Sequence, residues 1–567
     1  MKSGFQGWIL LLALLVSCGT NNTSNNPGTD AKIGEDHVAV TDISSDMGAD
    51  LSADSMTDLV LPDEVQVDMT EDAEADVSPH QPAFDALAQI IEAKRKELGA
   101  PGLAVAILLD GKLVWAEGFG TKDPQGAEPV EATTLFRIGS LTKVMTAIGL
   151  LQQQEAGCLN VSDKLVDHIN GFTLSASPEP VPEVTLHHLI THSSGISDFL
   201  AADVPPAQWQ DDALSEYITK LMPHKVYIHA PPGRLFNYSN PNFMIAGLVL
   251  EQCAGQNYRD YVREKVWLPL GMERTFFRPA DVLADGDYAV ALGLDPETGG
   301  ELIVTPDSYD CAWGAPAGFA FSSVLDLARF AEFLLAGNDN VLTTESHALL
   351  PAKLVNTKMA ADELWYGYGI MINERIRLPG ETQIDTPVWH HSGMINGFAA
   401  NLSLLPEFGF GMITLASTNN AFFGEALVQA IMTLTDAPPP TPAPDVSDDP
   451  ALYPDYVGEY LNPFNVGQMI LSVKDGSLHL SMPDVDEAGV AYDPILVPIS
   501  INNYLLTVGV LPIQLTVILD ENGNGEFLRT RYFVGTRVDP DDRGAAVIVD
   551  KQRLLGLLQT PAAIPTF

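Results

Sequence analysis

Ser140 follows a glycine at the start of an apolar helical run, and Lys143 lies three positions on. Side chains at i and i+3 share one helix face, with Cβ atoms about 5–6 Å apart. An ammonium can therefore rest against the serine hydroxyl. The helix start adds backbone N–H groups and positive potential where an oxyanion would develop. A serine hydroxyl alone is a weak nucleophile, and this arrangement addresses that weakness. S-x-x-K in isolation says little, because many N-capping serines precede a lysine by three. Two further segments therefore matter. Tyr238-Ser239-Asn240 opens an apolar helix running to Glu251, and His390-His391-Ser392-Gly393-Met394 precedes a strand that starts near Gly397.

Other residues make weaker cases. His188 and His192 have the i, i+4 spacing of a helical metal pair, but no third ligand accompanies them. Asp520-x-Asn-x-Asn-Gly525 resembles the start of a calcium loop, yet its twelfth position is Arg531 rather than Glu, so a hairpin turn is expected. Neither a metal nor an organic cofactor is expected. No G-x-S-x-G occurs, which argues against an α/β-hydrolase. Cys158, Cys253 and Cys311, an odd count, allow at most one disulfide among themselves, and no C-x-x-C is present.

The elements that must position these groups can be read from periodicity. Residues 84–98 have helical spacing. Segments 102–109 and 112–116 read as strands joined by an Asp110-Gly111 turn. Helices are predicted at 140–156, 213–222, 241–253 and 323–336, strands at 397–405 and 411–416, and a last helix at 424–434. Strands, then helices, then strands again imply an α+β fold whose antiparallel sheet carries a helical insertion.

A net charge of -44 makes nucleic acid an improbable partner. Trp8 to Val16 is too short to span a bilayer and has the length of a signal h-region. It ends in Leu15-Val16-Ser17-Cys18, which resembles the lipobox of bacterial lipoproteins. That resemblance implies a signal peptide over 1–17, lipidation at Cys18, and an envelope location on the periplasmic or outer-membrane face. Residues 18–80 are acidic, with Lys32 as their only lysine or arginine, and read as a disordered tether. Such a tether reaches on the order of 40–50 Å. The proline-rich run at 436–450 reads as a stiff linker, and 451–567 as a small all-β barrel.

Ser140-x-x-Lys143, Tyr238-x-Asn240 and His391-Ser-Gly393, in that order, resemble the serine β-lactamase and penicillin-binding superfamily. The Y-x-N and H-[ST]-G forms resemble its class C β-lactamase-related branch, which includes D,D-carboxypeptidases, esterases and D-amino-acid peptidases. Segments 184–196, 269–275 and 316–330 also look like family segments, so the resemblance covers about residues 84–435. It implies a catalytic domain over 81–435, with an antiparallel sheet flanked by helices and an all-α subdomain. Residues 456–460 and 471–480 look like the lipocalin-like β-domain appended to many relatives. The resemblance further implies that Ser140 is acylated and that Lys143 holds the proton network. Tyr238 would act as base, Asn240 would hold a substrate amide or the Lys143 ammonium, and the N–H groups of Ser140 and Met394 would bind the oxyanion. Lys143 would supply the positive charge that a Tyr238 phenolate needs. His391 stands where relatives place a lysine, and it would offer a cation to a substrate carboxylate only below about pH 6.5. The expected protein is a monomeric hydrolase of β-lactams, D-alanyl peptides or short esters. The alternative is a penicillin-binding sensor that is acylated but turns over slowly.

Overall fold

The computed structural model describes residues 79–539 apart from short stretches, of which 199–209 is the longest, together with residues 549 and 554. The signal segment, Cys18 and the acidic stretch up to residue 78 lie outside the described residues.

The first body is built on an eight-stranded antiparallel sheet. Its strands are β1 (Gly102–Leu109), β2 (Lys112–Gly120), β3 (Val355–Asn356), β4 (Leu364–Tyr366), β5 (Met371–Asn373), β6 (Val388–Ile395), β7 (Phe398–Leu405) and β8 (Phe410–Ala416), in the spatial order β2-β1-β8-β7-β6-β5-β4-β3. Every residue of β1 is buried, because helices cover both sheet faces and successive side chains point opposite ways. Leu103, Val105 and Ile107 pack against α1 (Gln81–Glu97) and a C-terminal helix, Gly424–Leu434. Ala104, Ala106 and Leu108 face the larger core, with α2 (Thr142–Glu155), α3 (Asn240–Ala254) and α4 (Val324–Ala336). The Asp110-Gly111 turn forms as predicted, with both residues at positive φ.

α2 and α3 pack together and are joined near their C-terminal ends by a disulfide between Cys158 and Cys253. Their N-terminal ends therefore point to a common place. Ser140 enters it at the front of α2, and Asn240 at the front of α3.

The proline-rich run lies along this first body. Thr441 and Pro442 form an edge strand beside Thr382–Ile384, and the Ala443 N–H donates to the Glu381 carbonyl. An edge position suits proline, which has no N–H to donate.

The C-terminal sheet contains β9 (Gly458–Asn462), β10 (Gly467–Lys474), β11 (Ser477–Ser481), β12 (Val497–Ser500), β13 (Asn503–Val508), β14 (Leu511–Leu519), β15 (Gly525–Arg529) and β16 (Val534–Val538), in the order β11-β10-β9-β16-β15-β14-β13-β12. Backbone hydrogen bonds from Leu480 to Pro494 and from Leu496 to Leu478 draw the two edges together. The result is a nearly closed barrel around Tyr460, Leu480, Tyr504 and Leu515. Asp520 forms the expected hairpin turn, its carboxylate accepting from the N–H groups of Asn522 and Asn524.

This barrel is seated on the first body through an apolar contact and several polar ties. Ile518, Phe527 and Val534 pack on Ala230 and Leu235. Arg529, fully buried between the two bodies, donates to the carbonyls of Phe236 and Thr357. Burial pushes its guanidinium down to about 9.

Candidate active site

Ser140 sits in a single 3-10 turn, Gly139–Leu141, that leads into α2. Gly139 has a φ of +51°, and a Cβ there would fall 2.5 Å from the Met394 nitrogen. A Cβ on Gly393 would fall 1.8 Å from the Ile138 carbonyl oxygen and 3.1 Å from the Ser140 nitrogen. Two glycines thus let the β6 backbone lie directly against the nucleophile turn. Ser140 and Met394 both line the cleft beside that contact.

Lys143 is wholly buried. Its ammonium donates to Ser140 Oγ at 2.9 Å, to Asn240 Oδ1 at 2.8 Å and to the Ala317 carbonyl. Burial pushes its pKa well below the ordinary lysine value, with nearby Asp198 opposing and Arg531 adding to the fall. Tyr238 hydrogen-bonds Ser140 and lies with its ring centroid 5.0 Å from Lys143 Nζ. Burial raises the Tyr238 phenol above its usual value, against the pull of that hydrogen bond and of Arg531. The Tyr238 phenol is therefore favoured over the expected phenolate, and Lys143 holds its proton less tightly than an ordinary lysine. The physical reason is desolvation, which penalises both charges at once.

Asp198 holds Asn240 twice, accepting from its backbone N–H at 3.0 Å and from its side-chain amide at 3.3 Å. The other carboxylate oxygen of Asp198 accepts from Arg531 Nε at 3.1 Å and Nη2 at 2.7 Å. Arg531 belongs to the turn between β15 and β16, and its guanidinium carbon lies 4.9 Å from the Tyr238 ring centroid. Neither Asp198 nor Arg531 is flagged by any local motif. Arg531 enters the sequence reading only as the wrong residue for a calcium loop.

His391 is buried with both nitrogens engaged. Nδ1 donates to the Ser392 carbonyl at 2.6 Å, which leaves Nε2 to accept from the Tyr366 hydroxyl at 3.3 Å. Burial, with the charge of Lys143 second, pushes its pKa down to about 3. It is thus a neutral imidazole near neutral pH and not the pH-dependent cation expected from its place in the motif. His390 points elsewhere, to Asn373 Oδ1 at 2.6 Å.

His188 and His192 do not converge. His188 closes a capping box with Thr185 at the start of the short helix Leu186–Ile190. His192, at a φ of +55°, lies beneath the Tyr238 ring with centroids 4.2 Å apart, and its Nδ1 accepts from the Ser239 N–H.

Above Ser140 opens a small cleft walled by Asn240, Met244, Phe319, Met394 and Ile395. Among the described residues its lining carries no cationic side chain. Phe319 holds a φ of +125°, a strained value for a side-chain-bearing residue and one typical of functional sites.

Residues 87–432 match the family model described as Beta-lactamase. The chain belongs to the β-lactamase family. Among curated relatives, Protein flp of Staphylococcus aureus (strain COL) is 25% identical over 336 residues, which is 59% of this chain and 63% of flp. This β-lactamase-family chain thus spans less than two thirds of that relative's length. Among solved structures, an octameric penicillin-binding protein homologue from Pyrococcus abyssi is 22% identical with a TM-score of 0.53, covering 80% of this chain and all of that one. SurE is 21% identical with a TM-score of 0.58, covering 81% of this chain and all of SurE. At these identities the two structures establish the shared fold.

Proposed function

We propose that this protein is an exported serine hydrolase that cleaves an ester or amide through an acyl-enzyme on Ser140. The observation that carries the reading is the buried contact of Lys143 Nζ with Ser140 Oγ at 2.9 Å, with Tyr238 bonded to the same hydroxyl. In this reading Ser140 Oγ attacks the carbonyl carbon and its proton passes to the Lys143–Tyr238 couple. The tetrahedral oxyanion accepts from the N–H groups of Ser140 and Met394, and Gly393 permits that approach. One such donor is typically worth about 3–4 kcal/mol of transition-state stabilisation. The leaving group takes the proton back, and the couple then activates water for deacylation. Asn240 fixes the Lys143 amine. His391 acts as a neutral wall residue through Tyr366. The apolar cleft favours a neutral acyl group, so short esters stand ahead of D-alanyl peptides and β-lactams.

Export is supported by the Cys158–Cys253 disulfide, a bond that persists in oxidising compartments. With the lipobox-like Leu15-Val16-Ser17-Cys18 it supports a lipid anchor at Cys18 on the periplasmic or outer-membrane face. We place the domain boundaries at 81–435, 436–450 and 451–567, regard the last as lipocalin-like, and take the working unit as a monomer. The octamer is a property of the Pyrococcus homologue.

Labelling with a fluorophosphonate, followed by peptide mass spectrometry and by turnover assays on an ester, a D-alanyl peptide and a β-lactam, tests the reading. Label on Ser140, lost in Ser140→Ala, with ester turnover is expected. Stoichiometric label without turnover would favour a slowly deacylating sensor. Label on a different serine would refute the assignment.

A further inference from the structure

The acylation chemistry above uses nothing from the C-terminal barrel, yet that barrel places a charged side chain against the site. We propose that Arg531 is a positioning residue of the Ser140 centre, so that the barrel completes the active site. The proposal rests on Ser140 being the nucleophile.

The turn that carries Arg531 is built to stay in one place. Thr530 Oγ1 accepts from the N–H groups of Tyr532 and Phe533, while Arg529 ties its base to the Phe236 and Thr357 carbonyls. Phe236 is two residues before Tyr238, so the anchor lies beside the residue that Arg531 covers. Arg531 and Asp198 are both buried, at 8% exposure each. A buried ion pair seldom adds net stability, because desolvation offsets the attraction. This one has a second effect. It forms a chain in which Arg531 holds Asp198, Asp198 holds Asn240, and Asn240 holds Lys143.

The same pair sets the field at the proton couple. Lys143 and Tyr238 are faced by Asp198 from the first body and by Arg531 from the barrel turn, with the Tyr532 phenol beside that ion pair. Neutral His192 and His391, and the Tyr366 phenol, complete the surroundings. A cation next to the couple disfavours the Lys143 ammonium and favours the Tyr238 phenolate. Below the pKa values of the couple both effects enlarge the deprotonated fraction that can take the Ser140 proton, so the acidic limb of the rate lies at lower pH. Asp198 without Arg531 would act in the opposite direction.

The test is the rate of fluorophosphonate labelling at Ser140 as a function of pH, with Ser140→Ala as the blank. Loss of the cation in Arg531→Met should move the acidic limb to higher pH by about one unit or more, which is roughly a ten-fold slower rate at pH 7. Arg531→Lys, which keeps a charge, should recover most of that loss. Asp198→Asn should move the limb to lower pH. Arg234→Ala cuts the exposed inter-body pair with Glu526 and should leave the profile where it is. A wild-type profile in Arg531→Met, or an equal shift in Arg234→Ala, overturns the inference. If Arg531→Met does not fold, Asp198→Asn decides, and a shift to higher pH or none at all overturns it. Wild type that takes no label at Ser140 removes the nucleophile assignment and this inference with it. Label at Ser140 with an unmoved Arg531→Met profile removes this inference alone.

Discussion

If His391 is held neutral, the enzyme cannot read substrate charge by protonating it. The perturbation is a change of pH between about 5.5 and 8, around the free histidine value near 6.5. A free imidazole would go from roughly 90% to 3% charged across that window, so preference for a carboxylate substrate over its neutral ester would fall about 30-fold. With its pKa pushed down to about 3, His391 is neutral throughout. Charging it at pH 5.5 costs on the order of 3 kcal/mol, taking about 1.4 kcal/mol per unit. Geometry agrees, since Nδ1 already donates to the Ser392 carbonyl and Nε2 accepts from Tyr366. The assay is kcat/KM for one matched pair, a neutral ester and its carboxylate analogue, across the window. The ratio should be flat in wild type and also in His391→Gln, which keeps a donor and an acceptor but cannot titrate. Both substrates will share the pH dependence of the Lys143–Tyr238 couple, so only their ratio reports on His391. A ratio that falls by an order of magnitude or more as pH rises, and is flat only in His391→Gln, would refute the reasoning.

Gly393→Ala should lower kcat by about 100-fold or more, the scale of losing one oxyanion donor, because its Cβ would meet the Ile138 carbonyl at 1.8 Å; an unaffected kcat counts against the close approach of β6. Replacing both Cys158 and Cys253 by serine should cost about 2–4 kcal/mol of stability by denaturant unfolding, since the bond closes a long loop, while the pH profile of labelling stays in place. Buried His229 is also pushed down to about 3 by burial. It stays neutral in the folded state while the unfolded chain takes up a proton below about pH 6.5, so its contribution is complete above that value and is lost as pH falls. At pH 5 the loss is about 2 kcal/mol. His229→Gln should therefore show a smaller drop in unfolding free energy between pH 7 and 5 than wild type, and an equal drop would contradict the burial argument.

Much of the scaffold is legible in the chain because its signals are local. The apolar run 102–109, the Asp110-Gly111 turn and the helical spacing of 323–336 and 424–434 each lie within a few residues and fold as read, to within one residue at the helix start. The approach of Gly139 to Gly393 is not visible in this way, because the two glycines are far apart in sequence and no local pattern encodes their contact.

The sequence by itself determined the Ser140–Lys143 pair, since helix geometry places i and i+3 together whatever surrounds them. It also marked Tyr238, Asn240 and the β6 segment as companions of that pair through their motif forms. Tertiary structure alone decided their charge states. His391 is neutral, Tyr238 is held as the phenol and the pKa of Lys143 is lowered, because folding removes water from them, and desolvation depends on atoms supplied by distant segments. Only tertiary structure, too, brought Asp198 and Arg531, 333 residues apart, into one ion pair beside Tyr238. Neither residue has a local neighbour that announces a role, and their chemistry exists only once the barrel is seated on the first body.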